Sequence, residues 1–173
     1  MTRAKLKSPE KMMSAFRLFW EARNKALERN LITDNWGGIH SCTRIADIMA
    51  AWACYPNIQL LKYKMHPDAE MSAAAYAWRE QGIADGLPES EIQANLKLEH
   101  VLPQREMTLT IGEMIDNGRT DEEIFVWLRA NYRIVVLTAE ETIELNRRNR
   151  SRICPDRLKG IELHVRGSGN PSD

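Results

Sequence analysis

The chain has 173 residues, 43% of them hydrophobic, which suits one domain of ordinary size with a core of its own. Its 24 basic and 24 acidic residues cancel, so the chain as a whole lacks the electrostatic signature of a constitutive nucleic-acid binder. Cys42, Cys54 and Cys154 are too few and too scattered for a disulfide framework, and the lack of a Cys-x-x-Cys pair argues against a structural zinc knuckle. No stretch approaches the roughly 18 apolar residues that span a bilayer, and Lys5, Lys7, Glu10 and Lys11 interrupt any signal-like run. A reduced cytoplasmic protein with no membrane partner is the expectation.

Ser8-Pro9-Glu10 opens the first helix with a capping hydroxyl, a proline at the first position and an acid near the positive dipole end. Met12, Met13, Phe16, Phe19, Trp20 and Leu27 recur at helical spacing to about Asn30, and Asp34-Asn35-Trp36-Gly37-Gly38 breaks the pattern. Ser41 is then expected to cap a second helix carrying Ile45, Ile48, Met49 and Trp52, ending before Pro56. Leu60 to Met65 reads as a short strand or a helical turn. Asp68 is expected to begin an alanine-rich helix to about Gly82, and Pro88 a shorter one leading to Leu96.

Leu96 to Val101 is the candidate first strand, stopped by Pro103. A helix from Glu106 to Asp116 closes at Asn117-Gly118, a favoured left-handed terminus. Thr120-x-x-Glu123 is a capping box for the next helix. Arg133 to Leu137, rich in β-branched residues, is the second strand. Thr138-x-x-Glu141 is another capping box, starting a helix with Ile143 and Leu145 that frays near Arg150. Ile161 to Val165 is a candidate last strand, and residues 167 to 173 read as a disordered tail. The fold class that follows is α+β: one mainly helical domain over residues 1 to 166, with a small strand pair.

Glu99-His100 ends the first strand, and an acid beside a histidine is acid–base equipment. Hydrolysing a phosphodiester requires a base to take a proton from water and a positive group to hold the charge developing on phosphate. Neighbouring residues on a regular strand point to opposite faces, so Glu99 and His100 serve one site only if the strand ends or bends between them. The run Arg147, Arg148, Arg150 and Arg152 follows the last helix, where arginine forks suit phosphate oxygens. The alternative for these arginines is a solvated helix terminus with a favourable dipole interaction.

Glu99-His100-Val101-Leu102-Pro103-Gln104, with Val136-Leu137-Thr138 running into a helix, resembles the HNH, or ββα-metal, nucleases. The resemblance covers roughly residues 96 to 150. It implies a divalent-metal-dependent endonuclease acting on DNA, with His100 as general base, Glu99 as a metal ligand, and Mg²⁺ or Mn²⁺ as cofactor. It also implies a ligand from the early turns of the last helix. That position commonly falls where this chain has Thr142, a poor ligand, so Glu141 or Asn146 would substitute; Glu141 is equally the third residue of its capping box. The asparagine that fixes the histidine in the family has only Asn117 and Asn131 as counterparts here. Arg147, Arg148, Arg150 and Arg152 would hold the DNA backbone. Small proteins of this kind belong to phages, plasmids or defence loci. Near-zero charge and Thr142 favour a second class: a non-enzymatic interaction or inhibitor protein on a degenerate ββα scaffold, with a protein partner or as a homodimer.

Elsewhere, His40, Ser41 and Cys42 invite a nucleophile reading, against which Ser41 is explained by capping. His66 and His164 lack metal-ligand spacing. Four of the tryptophans (Trp20, Trp52, Trp78 and Trp127) fall on apolar helical faces and are expected in the core, whereas Trp36 sits in a loop.

Overall fold

The computed structural model describes residues 8–33, 38–56, 58–149 and 157–165. The described chain is mainly helical with one two-stranded antiparallel sheet, as the sequence leads one to expect. It forms two compact units: residues 1–59 with 102–133, and residues 60–101 with 134–173. The loop segment 34–37, with Trp36, and the tail 167–173 lie outside the described residues.

The first unit is four helices: α1 (Pro9–Glu28), α2 (Gly38–Cys54), α6 (Gln104–Asp116) and α7 (Asp121–Asn131). Ser8 caps α1 as its sequence predicts, its hydroxyl accepting from the Lys11 amide, and Asn30 closes the helix at φ 55°. Met13, Phe16 and Trp20, three and four residues apart, form the buried stripe of α1. The Trp20 ring stacks on Phe16 with centroids 5.9 Å apart, and its indole donates to Asp116 at 3.0 Å. Gly112 of α6 lets the ring approach, since a Cβ there would stand 2.0 Å from the Trp20 ring edge. Thr120 and Glu123 make the expected capping box on α7, and Gly118 (φ 73°), rather than Asn117, takes the left-handed turn before it. Burial pushes the Cys54 thiol up to about 11.

Ser41 does not cap α2. That helix starts three residues earlier at Gly38, whose missing side chain admits Ile32, and Ser41 is an exposed residue of its first turn. Cys42 is consequently buried, and the nucleophile reading loses its helix-end thiol.

The second unit comprises α3 (Leu60–Tyr63), α4 (Ala73–Ala84), α5 (Glu89–Ala94), β1 (Leu96–His100), β2 (Ile134–Thr138) and α8 (Ala139–Asn149). Leu60 to Tyr63 settles as a helical turn. The alanine-rich helix begins at Ala73, because Ser72, not Asp68, supplies the capping oxygen to the Ala75 amide. Strands β1 and β2 pair antiparallel from Leu96↔Thr138 to His100↔Ile134. Met71 bridges Val136 on the other side of β2, and Leu163 bridges Ser72, so the expected last strand is a single antiparallel bridge. Val135, Leu137 and Leu145 are buried together, with Val101, Leu158, Ile161 and Leu163 packed against them.

The tryptophans divide. Trp20 is buried, Trp52 and Trp127 are half-buried, and Trp78 is exposed with its indole donating to the Ile92 carbonyl at 3.1 Å.

Candidate active site

The strand–strand–helix element lies within the second unit. β2 ends at Thr138 and α8 begins at Ala139, with no residue between them, and α8 packs on both strands. The turn is tight because the Thr138–Glu141 capping box closes it. The Glu141 amide donates to Thr138 Oγ1 at 3.2 Å, and Glu141 Oε2 accepts from the Thr138 amide at 2.8 Å. Leu145, one turn on from Glu141, faces the buried Val135 and Leu137 and seats the helix on the sheet.

His100 is the last residue of β1, half-buried, and its ladder position opposite Ile134 is regular. The ladder therefore runs through both Glu99 and His100, and strand alternation directs their side chains to opposite faces. The bend between them that a shared site requires is not made within the strand.

Glu99 is buried, with its carboxylate bonded to Arg157. The Nε and Nη2 of that guanidinium both donate to Glu99 Oε1, the first at 2.8 Å. The two side chains are only 10% and 12% exposed, so the ion pair sits in a region of low dielectric, where it is strong and where losing one partner is costly. Arg157 is the residue that sequence reasoning missed. It lies in a basic stretch of sequence, 58 positions from Glu99, and no local pattern links the two.

Glu141 is likewise occupied. Besides the Thr138 amide, its Oε2 accepts from the Ser72 hydroxyl at 2.6 Å, so one oxygen serves a helix cap and ties α8 to the start of α4. Asn146 is exposed on α8. Thr142, at the position where the nuclease family carries a helical ligand, has its hydroxyl oxygen buried without a hydrogen-bond partner among the described residues.

These residues do not fit Mg²⁺ or Mn²⁺ as they stand. A dication approaching Glu99 Oε1 meets a guanidinium already bonded to that oxygen, and two like charges at contact distance in a buried setting repel strongly. The Glu141 oxygen that accepts both bonds would have to give up its cap. Among the described residues no three His, Cys, Asp or Glu side chains are grouped to hold a metal ion.

Of the arginines expected on a phosphate backbone, Arg147 and Arg148 are exposed at the end of α8. Both bond Glu144, at 3.0 and 2.8 Å from their Nε atoms. Their hydrogen bonds, Arg147's first, hold the Glu144 carboxyl below its ordinary range. Glu144 thus offsets one of the two arginine charges among the described residues of this helix end. Arg150 and Arg152 lie outside the described residues.

His164 stacks on Tyr76 with centroids 3.6 Å apart, and His66 Nδ1 accepts from the Asp68 amide at 3.0 Å. No family model, curated protein or solved structure matched this chain in the comparisons.

Proposed function

We propose that this chain is a non-enzymatic interaction or inhibitor protein, of the kind carried by phages and plasmids, built on a ββα scaffold. The observation that carries this reading is the commitment of both candidate acids: Glu99 to Arg157, and Glu141 to Ser72 and the Thr138 amide. Function has to be argued from a site rather than from a fold, and here the acids that would build the site hold the scaffold together instead. Leu18 and Phe19, adjacent on α1 and exposed by 67% and 49%, are side chains that a protein partner would cover.

A second reading, a divalent-metal-dependent DNA endonuclease with His100 as base, is favoured by a specific observation of its own. The order of β1, β2 and α8, with His100 closing β1 and α8 following β2 at once, is the arrangement that resemblance to the ββα nucleases implies. In that reading Mg²⁺ or Mn²⁺ is the cofactor, and DNA the partner of Arg147, Arg148, Arg150 and Arg152.

A plasmid-nicking assay in Mg²⁺ and in Mn²⁺, with wild type and His100→Ala prepared side by side, separates the two. The scaffold reading predicts the same background from both proteins in either metal. Nicking by the wild type that is lost in His100→Ala and in chelator would sink it.

A further inference from the structure

We infer that Arg157 is the resident cation of the ββα element, seated on Glu99 where the nucleases it resembles hold a divalent metal, and that it closes Glu99 to Mg²⁺ and Mn²⁺. This deepens the scaffold reading and shares the Glu99–Arg157 pair with it.

Three observations carry the inference. The guanidinium places two nitrogens on one carboxylate oxygen, Oε1, so a positive charge already stands at hydrogen-bond distance from the group a metal would bind. Both side chains are nearly buried, so the carboxylate has to be neutralised by something close, and desolvation makes an unpartnered charge there expensive.

The third observation concerns tethering. Immediately after Arg157, Leu158, Ile161 and Leu163 pack against the buried Val135, Leu137 and Leu145. Leu163 also bridges Ser72, and the His164 amide donates to the Met71 carbonyl at 2.9 Å. Arg157 is therefore delivered by a packed segment. A cation held in place by the chain binds without the translational entropy cost of a free ion. Mg²⁺ would in addition have to shed tightly held water. The tethered guanidinium wins on both counts.

The charge balance of the element follows. Glu99 and Arg157 cancel, and the pair also pins the chain beyond α8 to strand β1. Removing the guanidinium charge leaves a carboxylate that a proton or a free dication can neutralise, and the oxygens of Glu99 are then open to Mn²⁺.

The experiment compares wild type, Glu99→Gln, Arg157→Gln and the double variant Glu99→Gln/Arg157→Gln, by Mn²⁺ electron paramagnetic resonance titration and by thermal melting with and without MnCl₂. Wild type is expected to bind no Mn²⁺ through Glu99 and to melt at the same temperature with and without the ion. Arg157→Gln is expected to melt lower and to bind Mn²⁺ through Glu99 at least roughly tenfold more tightly than any residual binding by the wild type, the scale of an opposite charge removed from a carboxylate. It should also recover melting temperature when Mn²⁺ is added. The double variant loses that binding.

Two results overturn the inference: Mn²⁺ binding by wild type that Glu99→Gln abolishes, or a folded Arg157→Gln that gains none. Should Arg157→Gln not fold, Arg157→Lys decides. It keeps a positive charge on Glu99, and Mn²⁺ binding to it through Glu99 overturns the claim, whereas exclusion upholds it. Metal binding and nicking are read separately, so a wild type that nicks DNA without metal at Glu99 contradicts the scaffold reading and leaves the Arg157 assignment standing.

Discussion

The helical unit and the strand-bearing unit bury different things. In the first, α1, α2, α6 and α7 meet mainly through apolar stripes, with Arg23 buried over the Trp20 ring, and the ion pair Arg17–Asp121 has side chains 35% and 47% exposed. In the second, Glu99–Arg157 and Ser72–Glu141 run through the interior of a small sheet whose other contacts are apolar. A unit held by packed volume tolerates the loss of a surface charge, since exposed ion pairs contribute about 0–1 kcal/mol. A unit that has drawn charges inside depends on each partner being present. In the second unit both candidate acids are bonded within the fold, Glu99 to Arg157 and Glu141 to Ser72 and Thr138.

The comparison is broken most forcefully in the first unit by volume. Gly112→Ala puts a methyl group 2.0 Å from the Trp20 ring, which Phe16 and Asp116 hold in place. Alanine's better helix propensity offsets about 1 kcal/mol of the overpacking cost, and a net loss of about 1–2 kcal/mol is expected. Denaturant unfolding of the variant measures it. A change near zero would mean that Trp20 can move and that the helical unit is looser than its contacts imply.

A smaller effect sharpens the account of the second unit. Thr138→Ala removes the side-chain oxygen that accepts from the Glu141 amide, and loss of such a cap costs about 1 kcal/mol. If the melting temperature of Thr138→Ala matches the wild type, the capping box is not what holds Glu141, and its carboxylate is freer than its bonds to Ser72 and Thr138 suggest.

What was legible in the sequence is what is local. The caps at Ser8 and Thr120, the Thr138–Glu141 box and the left-handed Gly118 each depend on residues within a turn of one another, and each is present. The strand pair is legible to within a residue at each end, because β2 is rich in β-branched residues and runs into a capping box, and Pro103 stops β1. Misreadings arose where two cap candidates competed. Ser41 gave way to an earlier start at Gly38, and Asp68 to Ser72, because tertiary contacts, with Ile32 and with Val136, decide which residue begins the helix. The candidate site was legible only as residue types. That Glu141 would meet Ser72, 69 positions away, and Glu99 would meet Arg157, 58 away, follows from how the sheet brings distant segments together, which no spacing rule encodes.

The central claim is that Glu99 belongs to Arg157, and a double-mutant cycle tests it most directly. Unfolding free energies of wild type, Glu99→Gln, Arg157→Gln and the double variant give the coupling between the two side chains free of their other contacts. A buried pair of this kind predicts that each single variant loses about 3 kcal/mol and that the double variant loses far less than the sum, a coupling of about 2 kcal/mol or more. Losses that add to within about 0.5 kcal/mol would show that the two side chains do not act as a pair, and would contradict the account.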